Sequence, residues 1–270
     1  MKDITMQIVD KLRAWHNHSL VKYTQISCLF ALVPSLFLLY QLYTPLYGLL
    51  TLLSILVISK IGHSIGQHRY FCHRSFKTGQ IREWMLGFFS TLCLTYSAPH
   101  YAAVHRYHHR TSDTEKDPHC PDRIGPVRAF LGFIDKENVK TISPRIIGDL
   151  VGNRVARFFH DWYWPTIISW LFVLYLINPI LIVWCWVIPV GYTQFVNGTQ
   201  ILFGHRWGYR NFDLPDKSTN NIMWNILTLG EGLHNNHHEK PAASDFAFTN
   251  GRYEWDFAGW IIRTFLITKK

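Results

Sequence analysis

The chain has 270 residues, of which 48% are hydrophobic, 16% aromatic and 17% charged, and its formal net charge is +9. This composition excludes intrinsic disorder, and it leaves too little polar surface to coat an ordinary soluble globule. The five cysteines include no Cys-x-x-Cys pair, so neither a thiolate zinc site nor a disulfide framework is indicated. The positive charge would suit nucleic acid or an anionic lipid surface, and its distribution along the sequence decides between them.

Two segments contain no charged residue, residues 23–59 and 162–204. About 20 apolar residues cross a bilayer as a helix, so each segment can hold two helices and a turn. The turns are marked by Pro45 and Pro179, and neither turn is charged, whereas lysine and arginine flank the segments. The sequence therefore predicts an all-α integral membrane protein with four transmembrane helices, arranged as two hairpins that enter from the cytoplasm.

Two buried hairpins in a soluble bundle are the alternative, but such helices would need charged faces towards water, and these segments have none. The first 22 residues carry no apolar core or small-residue cleavage site, so we expect the first hairpin itself to direct insertion.

Two further helices are predicted between the hairpins. Residues 84–99 are apolar but short for a span, so we expect a helix that is buried at the membrane interface or partly inserted. Residues 145–160 place seven apolar side chains on one stripe, with arginines mostly off it. A helix lying on the membrane surface would direct these arginines at lipid headgroups, which accounts for much of the positive charge without nucleic acid.

Histidine is unusually frequent, with 15 residues, and eight of them fall in three tight groups. On a helix, positions i, i+3 and i+4 share one face, so each H-x-x-H-H pattern offers several imidazoles to a common point. A ninth histidine follows in FGHRWGYRNF. Nine imidazoles exceed the four ligands of a structural zinc and suit two metal ions, whose identity the ligands alone leave open among zinc, copper, iron and nickel. The nine are His68 and His73 in HRYFCH; His105, His108 and His109 in HRYHH; His205; and His234, His237 and His238 in HNNHH.

The other histidines are interpreted as ordinary hydrogen-bonded residues. They are His16, His18, His63, His100, His119 and His160. Acidic residues near the second and third groups could accept the free ring N–H of a ligand, or could be solvated acids in a basic segment. The candidates are Asp113, Glu115, Asp117 and Glu231, of which Glu231 is the strongest because its neighbours are apolar.

These motifs, at these intervals and separated by a membrane hairpin, resemble the membrane-bound fatty acid desaturases over about Tyr23 to Trp260. The acyl-CoA (stearoyl-CoA, delta-9) branch of that family has H-R-x-x-x-H, H-R-x-H-H and H-N-x-H-H, and all three patterns are present. The acyl-lipid branch instead has H-D-x-x-H and a final Q-x-x-H-H. HRWGYRNFD is similar to the segment that brings the family's further histidine ligand, which corresponds to His205.

The resemblance implies four transmembrane helices under a cytosolic helical cap, with a non-haem di-iron centre, two Fe ions, held by the nine histidines. It implies removal of two hydrogens from a saturated acyl group with dioxygen and two electrons, giving a cis double bond. A C–H bond in the middle of an acyl group is neither acidic nor next to an activating group, so acid–base side chains alone cannot break it and a redox metal is needed. On this interpretation residues 1–270 form one desaturase domain. Its parts are the first hairpin (23–59), the first two histidine motifs with interfacial helices (60–161), the second hairpin (162–204), and the isolated histidine, third motif and C-terminal cap (205–270).

Two positions depart from the family pattern. Family members usually have an asparagine four residues before the isolated histidine, where this sequence has Ile201. Asn197 lies eight residues before His205 and could still reach an iron across a four-residue insertion, or the tenth ligand is water or another group. Animal members also carry Trp-x-Arg-Asp before the second motif to hold the CoA headgroup, whereas residues 101–104 are Tyr-Ala-Ala-Val. The long-chain acyl carrier is therefore open among CoA, acyl carrier protein and a phospholipid.

The Ala102-Ala103 stretch and the STNN and HNNHH segments resemble bacterial members of the family. This resemblance implies an enzyme of the bacterial inner membrane with its active site on the cytoplasmic face. A eukaryotic member would lie in the endoplasmic reticulum. Spans and motifs leave no room for a fused electron donor, so a ferredoxin, rubredoxin or cytochrome b-type protein is expected to dock on the basic face. A di-iron fatty acid or alkane hydroxylase is the alternative enzyme. A membrane metal carrier is a third interpretation. It would need polar or charged residues inside its spans along an ion path, and it is disfavoured because residues 23–59 and 162–204 contain no charged residue.

Overall fold

The computed structural model describes residues 18–42 and 44–268. Within these ranges the protein is helical, and its only β pairing is two isolated bridges that both involve Asn220. This confirms the all-α class. His16 lies outside the described residues, as does the side chain of His18, so the interpretation of these two histidines stays a prediction.

The first hairpin consists of helices α1 (His18–Gln41) and α2 (Pro45–Cys72). Thr44 caps α2 by accepting a hydrogen bond from the Tyr47 amide, and Pro45 occupies the first turn, where no backbone donor is lost. Both helices are long and apolar enough to cross a bilayer, and many of their large apolar side chains are exposed on the outside. The predicted pair of helices and the turn between them are therefore present.

Helix α3 (Gln80–Leu92) lies along α2, and α4 (Ala98–Thr111) follows after a short loop. The α2–α3 contact is close because α2 presents two glycines: a Cβ at Gly62 would lie 2.4 Å from the Phe89 carbonyl oxygen, and one at Gly66 would lie 2.4 Å from the Ser90 hydroxyl. The helix predicted over residues 84–99 is wrong in its boundaries, because the loop between α3 and α4 contains left-handed backbone at Leu94.

Residues 145–160 do not form one helix. A 3₁₀ turn (Pro144–Ile147) leads into α8 (Gly148–Gly152), and α9 (Arg154–Asp161) begins anew after Asn153, whose side chain accepts the Ala156 amide at 2.7 Å. The predicted surface helix is also wrong in orientation, because most of its apolar stripe is buried against α3 and α4. Three short helices connect α4 to this region: α5 (Pro121–Ile124), α6 (Pro126–Phe130) and α7 (Lys136–Lys140).

The second hairpin begins with α10 (Tyr163–Ile177) and turns at Asn178 and Pro179, as predicted. It returns through a π-helical turn (Val183–Val187) into α11 (Ile188–Phe203), which packs on α1 and α2. The 15 residues of α10 span only about 22 Å of a hydrocarbon core of about 30 Å. Within the described ranges, α1 and α2 are the two helices that reach the length and hydropathy of a span.

The remaining residues, after α11, cover the ends of α2 and α11 with loops and short helices. The apolar core forms two clusters, one around α3, α4 and α9 and the other where α1, α2, α10 and α11 meet. The short helices of this C-terminal segment, here called the cap, are α12 (Ile222–Thr228), α13 (His234–Glu239) and α14 (Phe257–Ile261), and α14 continues as a π-helical turn (Ile262–Leu266).

Candidate metal centre

The last part of α2 carries the first histidine motif in an unusual helical form. From Leu56 to Cys72 the helix has π geometry, and the His73 amide donates to the His68 carbonyl at 3.0 Å, five residues back. In an α-helix two residues five apart point about 140° away from each other, whereas the wider π turn brings them to the same side. The rings of His68 and His73 accordingly lie 4.8 Å apart, centroid to centroid.

The second and third motifs lie on α4 and α13. In each motif the histidines at i and i+4 face one point, as predicted, but the histidine at i+3 faces a second, adjacent point. On α4 the Nε2 atoms of His105 and His109 lie 3.1 Å apart. The Nε2 atom of His68 lies 2.9 Å from that of His105 and 3.1 Å from that of His237. Three separate helices therefore direct their imidazole nitrogens at one point.

All nine predicted histidines fall into two adjacent groups, and within each group the candidate ligand atoms lie within 4.8 Å of one another. The isolated His205 joins the second group, its Nε2 3.0 Å from that of His234. The five-histidine group consists of His68, His73, His105, His109 and His237, and the four-histidine group of His108, His205, His234 and His238.

Three rings of the four-histidine group each have a carboxylate at Nδ1, which leaves Nε2 directed at the centre of the group. Two of these carboxylates, Asp113 and Asp117, were candidates from the sequence, whereas Glu115 is exposed. Asp216 was missed, because it lies in a loop far from the motifs and no sequence signal pairs it with a histidine. The pairs are His108 with Asp117 (2.9 Å), His205 with Asp113 (2.8 Å) and His238 with Asp216 (2.9 Å).

Glu231 serves the five-histidine group, with a carboxylate oxygen 3.6 Å from Nδ1 of His68. It also contacts buried Arg69 at 3.0 Å and Lys60 at 3.9 Å, and it accepts the hydroxyl of Ser64. Burial opposes ionisation of Glu231, but the charges of Arg69 and Lys60 hold its pKa well below the usual range. Glu231 therefore lies beside His68 as the sequence suggested, and it also neutralises two buried cations.

The donor set fits metal ions. Burial lowers the pKa of six of the rings well below the usual value for histidine, so they are neutral imidazoles, the form that binds metals. Within the described part of the protein, the buried Nε2 atoms of His73 and His238 have no hydrogen-bond partner, as expected for atoms reserved for an ion. The six rings are His73, His105, His109, His234, His237 and His238.

His119, interpreted from the sequence as an ordinary histidine, lies beside the four-histidine group without joining it. Its ring centroid is 4.9 Å from that of His108, and its Nδ1 is 3.8 Å from Asp117. His119 belongs instead to a separate cluster of candidate ligand atoms with His108 and Asp117, in which Asp117 contacts both rings.

A cavity of about 170 Å³ opens against both groups. Its wall includes apolar side chains of α4, α11 and the cap, among them Val104, Val196, Ile201 and Phe246, together with several amides and Lys22. Asn197 also lines the cavity, and its side chain hydrogen-bonds to His63. A cavity with a largely apolar wall is suited to an aliphatic chain.

Comparison with known proteins agrees with this chemistry. Residues 43–250 match the fatty acid desaturase family. The protein is 30% identical to the sn-1 stearoyl-lipid 9-desaturase of Anabaena variabilis, over 90% of this chain and 86% of that protein. It is 32% identical to the hex-5-enoyl-(acyl-carrier protein) acetylenase of Moorena producens (strain JHB), over 69% and 64%. It is 28% identical to stearoyl-CoA desaturase 2 of Mus musculus, over 89% and 68%.

The family match extends over most of the sequence, including all nine histidines, and the relative from Anabaena aligns over nearly its whole length. The resemblance of the three histidine motifs is thereby confirmed. This chain belongs to the fatty acid desaturase family and is an oxidoreductase that desaturates fatty acyl chains.

Proposed function

We propose that the protein introduces a cis double bond into a saturated long-chain acyl group at a di-iron centre held by its nine histidines. The observation that carries the proposal is the convergence of these histidines into two adjacent groups beside an apolar-walled cavity. Imidazole is a good ligand for iron, and an unactivated C–H bond cannot be broken by acid–base chemistry alone. When bound, the two irons would supply the oxidising power by activating dioxygen with two external electrons.

In this proposal the five-histidine group holds one iron and the four-histidine group the other. The carboxylates at Nδ1 of His108, His205 and His238 would keep these three rings in the tautomer that presents Nε2, and would raise the basicity of each ligand. The burial of α13, whose three histidines are all nearly inaccessible to solvent, excludes water from the reacting carbons. The nine histidines leave the tenth ligand open, as did the sequence, which offered Asn197, water or another group.

The cavity would orient the acyl group. Apolar contacts with Val104, Ile201 and Phe246 would hold two neighbouring methylene groups against the centre, and a bent path would present the two hydrogens that give a cis product.

The acyl carrier differs among the relatives, whose names specify a lipid, acyl carrier protein or CoA as the group that carries the acyl chain. Here the positions of the polar pair for CoA correspond to Ala103, which is half-buried, and Val104, which is buried. Because neither side chain is polar, CoA is not favoured over the other two carriers, and CoA, acyl carrier protein and a phospholipid are all to be tested.

The proposed topology keeps four spans with the histidines on the cytoplasmic side of a bacterial inner membrane. The histidine motif lies at the end of α2 opposite to the uncharged turn at Thr44, and exposed Arg74 and Lys77 follow directly after it. Basic residues flank spans on the cytoplasmic side. The same exposed cations would attract a small acidic donor, such as a ferredoxin, rubredoxin or cytochrome b-type protein.

The proposal is tested by expressing the protein in a desaturase-deficient host and analysing total fatty acids by mass spectrometry. A new monoenoic acid is expected, and it should be absent from cells that express the His108→Ala variant at equal membrane abundance. Membranes supplied with labelled stearoyl-CoA, stearoyl-acyl carrier protein or stearoyl phospholipid, together with reduced donor, would identify the carrier. Hydroxylated acids in place of monoenoic acids would favour the hydroxylase instead. A purified protein without iron and without product would contradict the proposal.

A further inference from the structure

The two histidine groups differ in the number of ligands that they offer. One has five candidate ligand atoms and the other has four, although they lie side by side and contact the same cavity. The four-histidine group therefore has one protein donor fewer than its neighbour. A polar side chain directed at the four-histidine group would make the two sites equal.

Gln200, on α11, lies close to the four-histidine group. It lines the cavity together with His205 and His234. Its side-chain Nε2 and Oε1 atoms are both buried, and neither has a hydrogen-bond partner among residues 18–42 and 44–268. Buried amides are almost always paired, because an unpaired polar group loses its hydration without compensation. An amide with both ends unpaired inside a ligand cavity is expected to contact a bound group.

Gly204 makes room for this amide. A Cβ at position 204 would lie 2.4 Å from Nε2 of Gln200 and 2.9 Å from Cδ2 of His234, so the amide and the imidazole both border the space that the glycine leaves open. Any larger residue at 204 would push the amide away from His234. Rotation of the terminal amide by 180° exchanges its nitrogen and oxygen, so an oxygen donor is available at the same point.

The other amides of the cavity are engaged or more distant. Asn197 hydrogen-bonds to His63. Gln25 donates through Nε2 to the Leu94 carbonyl at 2.6 Å, and its Oε1 is unpaired within the described residues, but its recorded contact is with the loop after α3 and not with a histidine of the four-histidine group. Gln194 also has an unpaired amide nitrogen, but it lies ten residues before Gly204 along α11. Among these side chains, Gln200 is the one whose contacts place it at the four-histidine group.

We propose that the side-chain oxygen of Gln200 is a further ligand of the metal held by the four-histidine group, so that this position is filled from one turn before Gly204 and not from Asn197. The inference rests on the di-iron centre of the proposed function. It assigns ten protein ligands to the centre, five on each side.

The test is Mössbauer spectroscopy of the full-length protein, purified in detergent after growth on ⁵⁷Fe, together with an iron count per molecule. The variant is Gln200→Leu, which keeps the approximate size of the side chain and removes the amide. Gln194→Leu and Asn197→Leu are matched controls on the same helix. We expect two irons in the wild type. In Gln200→Leu one of two equal-area quadrupole doublets should shift, or at most one iron should be lost, while both controls keep the wild-type spectrum.

If Gln200→Leu does not insert or fold, Gln200→Glu replaces it, since a carboxylate keeps an oxygen donor. This variant should retain two irons and shift the same single doublet. Two irons with unchanged doublets in the Gln200 variant would overturn the inference while leaving the di-iron centre intact, as would a shift in Asn197→Leu alone. A wild-type protein that holds no iron would contradict the proposed function itself.

Discussion

The two histidine groups are positioned by different parts of the protein. The five-histidine group is anchored from within the helical core: His68 lies on the π segment of α2, and its carboxylate partner Glu231 is held by buried Arg69 and Lys60. In the four-histidine group, three rings each contact a carboxylate contributed by a loop, for example Asp216 at His238. One group depends on a shared buried charge network, and the other on separate local hydrogen bonds.

This difference has an energetic consequence. Removing one partner from a buried charge network leaves the remaining charges uncompensated, which typically costs about 3–5 kcal/mol. Removing one carboxylate that orients a single metal-binding ring typically lowers metal affinity or activity by about 10–100-fold. Breaking the charge network of Glu231, Arg69 and Lys60 should therefore reduce the stability of the whole protein, whereas loss of one carboxylate on the four-histidine side should affect only the centre.

The largest effect is expected from removing one ligand from either group. His237→Ala on the five-histidine side and His108→Ala on the other should each abolish turnover, because the proposed chemistry needs both irons. Membrane abundance should stay near that of the wild type, since each variant shortens one side chain at the edge of a cavity. Product formation is measured by mass spectrometry and abundance by immunoblot. Turnover in either variant would contradict the requirement for two metals.

Glu231→Gln should destabilise the protein by about 3 kcal/mol, because Arg69 would lose one of its two carboxylate contacts and Lys60 its nearest carboxylate. The measurement is the Tm of the purified protein in detergent. Glu239→Gln is the matched control, since Glu239 lies on α13 near the same motif but is exposed. Equal Tm values for the two variants would show that the buried network does not support the fold.

On the four-histidine side, Asp216→Asn should lower activity about 10–100-fold. Its Tm should stay close to that of the wild type, because the free energy of unfolding should change by less than about 1 kcal/mol. The amide can still contact His238 but no longer fixes its tautomer. Asp213→Asn is the control, because Asp213 lies in the same loop and its side chain is fully exposed. A loss of Tm comparable to that of Glu231→Gln would remove the contrast between the two groups.

The histidines were predictable because the H-x-x-H-H spacing is short and fits a helix. The paired apolar helices were predictable because a charge-free segment of this length is typical of two helices and a turn. Three features were not predictable. The π segment of α2 changes which side chains share a face, and no composition rule signals it. Asn153 ends one helix and caps the next, whereas its surrounding apolar stripe suggested continuity. Asp216 reaches His238 only through the folding of a loop, and sequence spacing carries no information about that contact.

The smallest effect is expected at Glu115, which the sequence grouped with Asp113 and Asp117 as a candidate partner of a ligand ring. Its side chain is exposed, whereas Asp117 is buried and contacts His108 at 2.9 Å. Glu115→Gln should therefore change activity less than about 2-fold, as for most exposed sites, while Asp117→Asn in the same loop should lower it about 10–100-fold. Both are measured as product formed per unit of membrane protein. Equal losses in the two variants would mean that the loop acts through its total charge, and that the individual contact at His108 does not orient the ring.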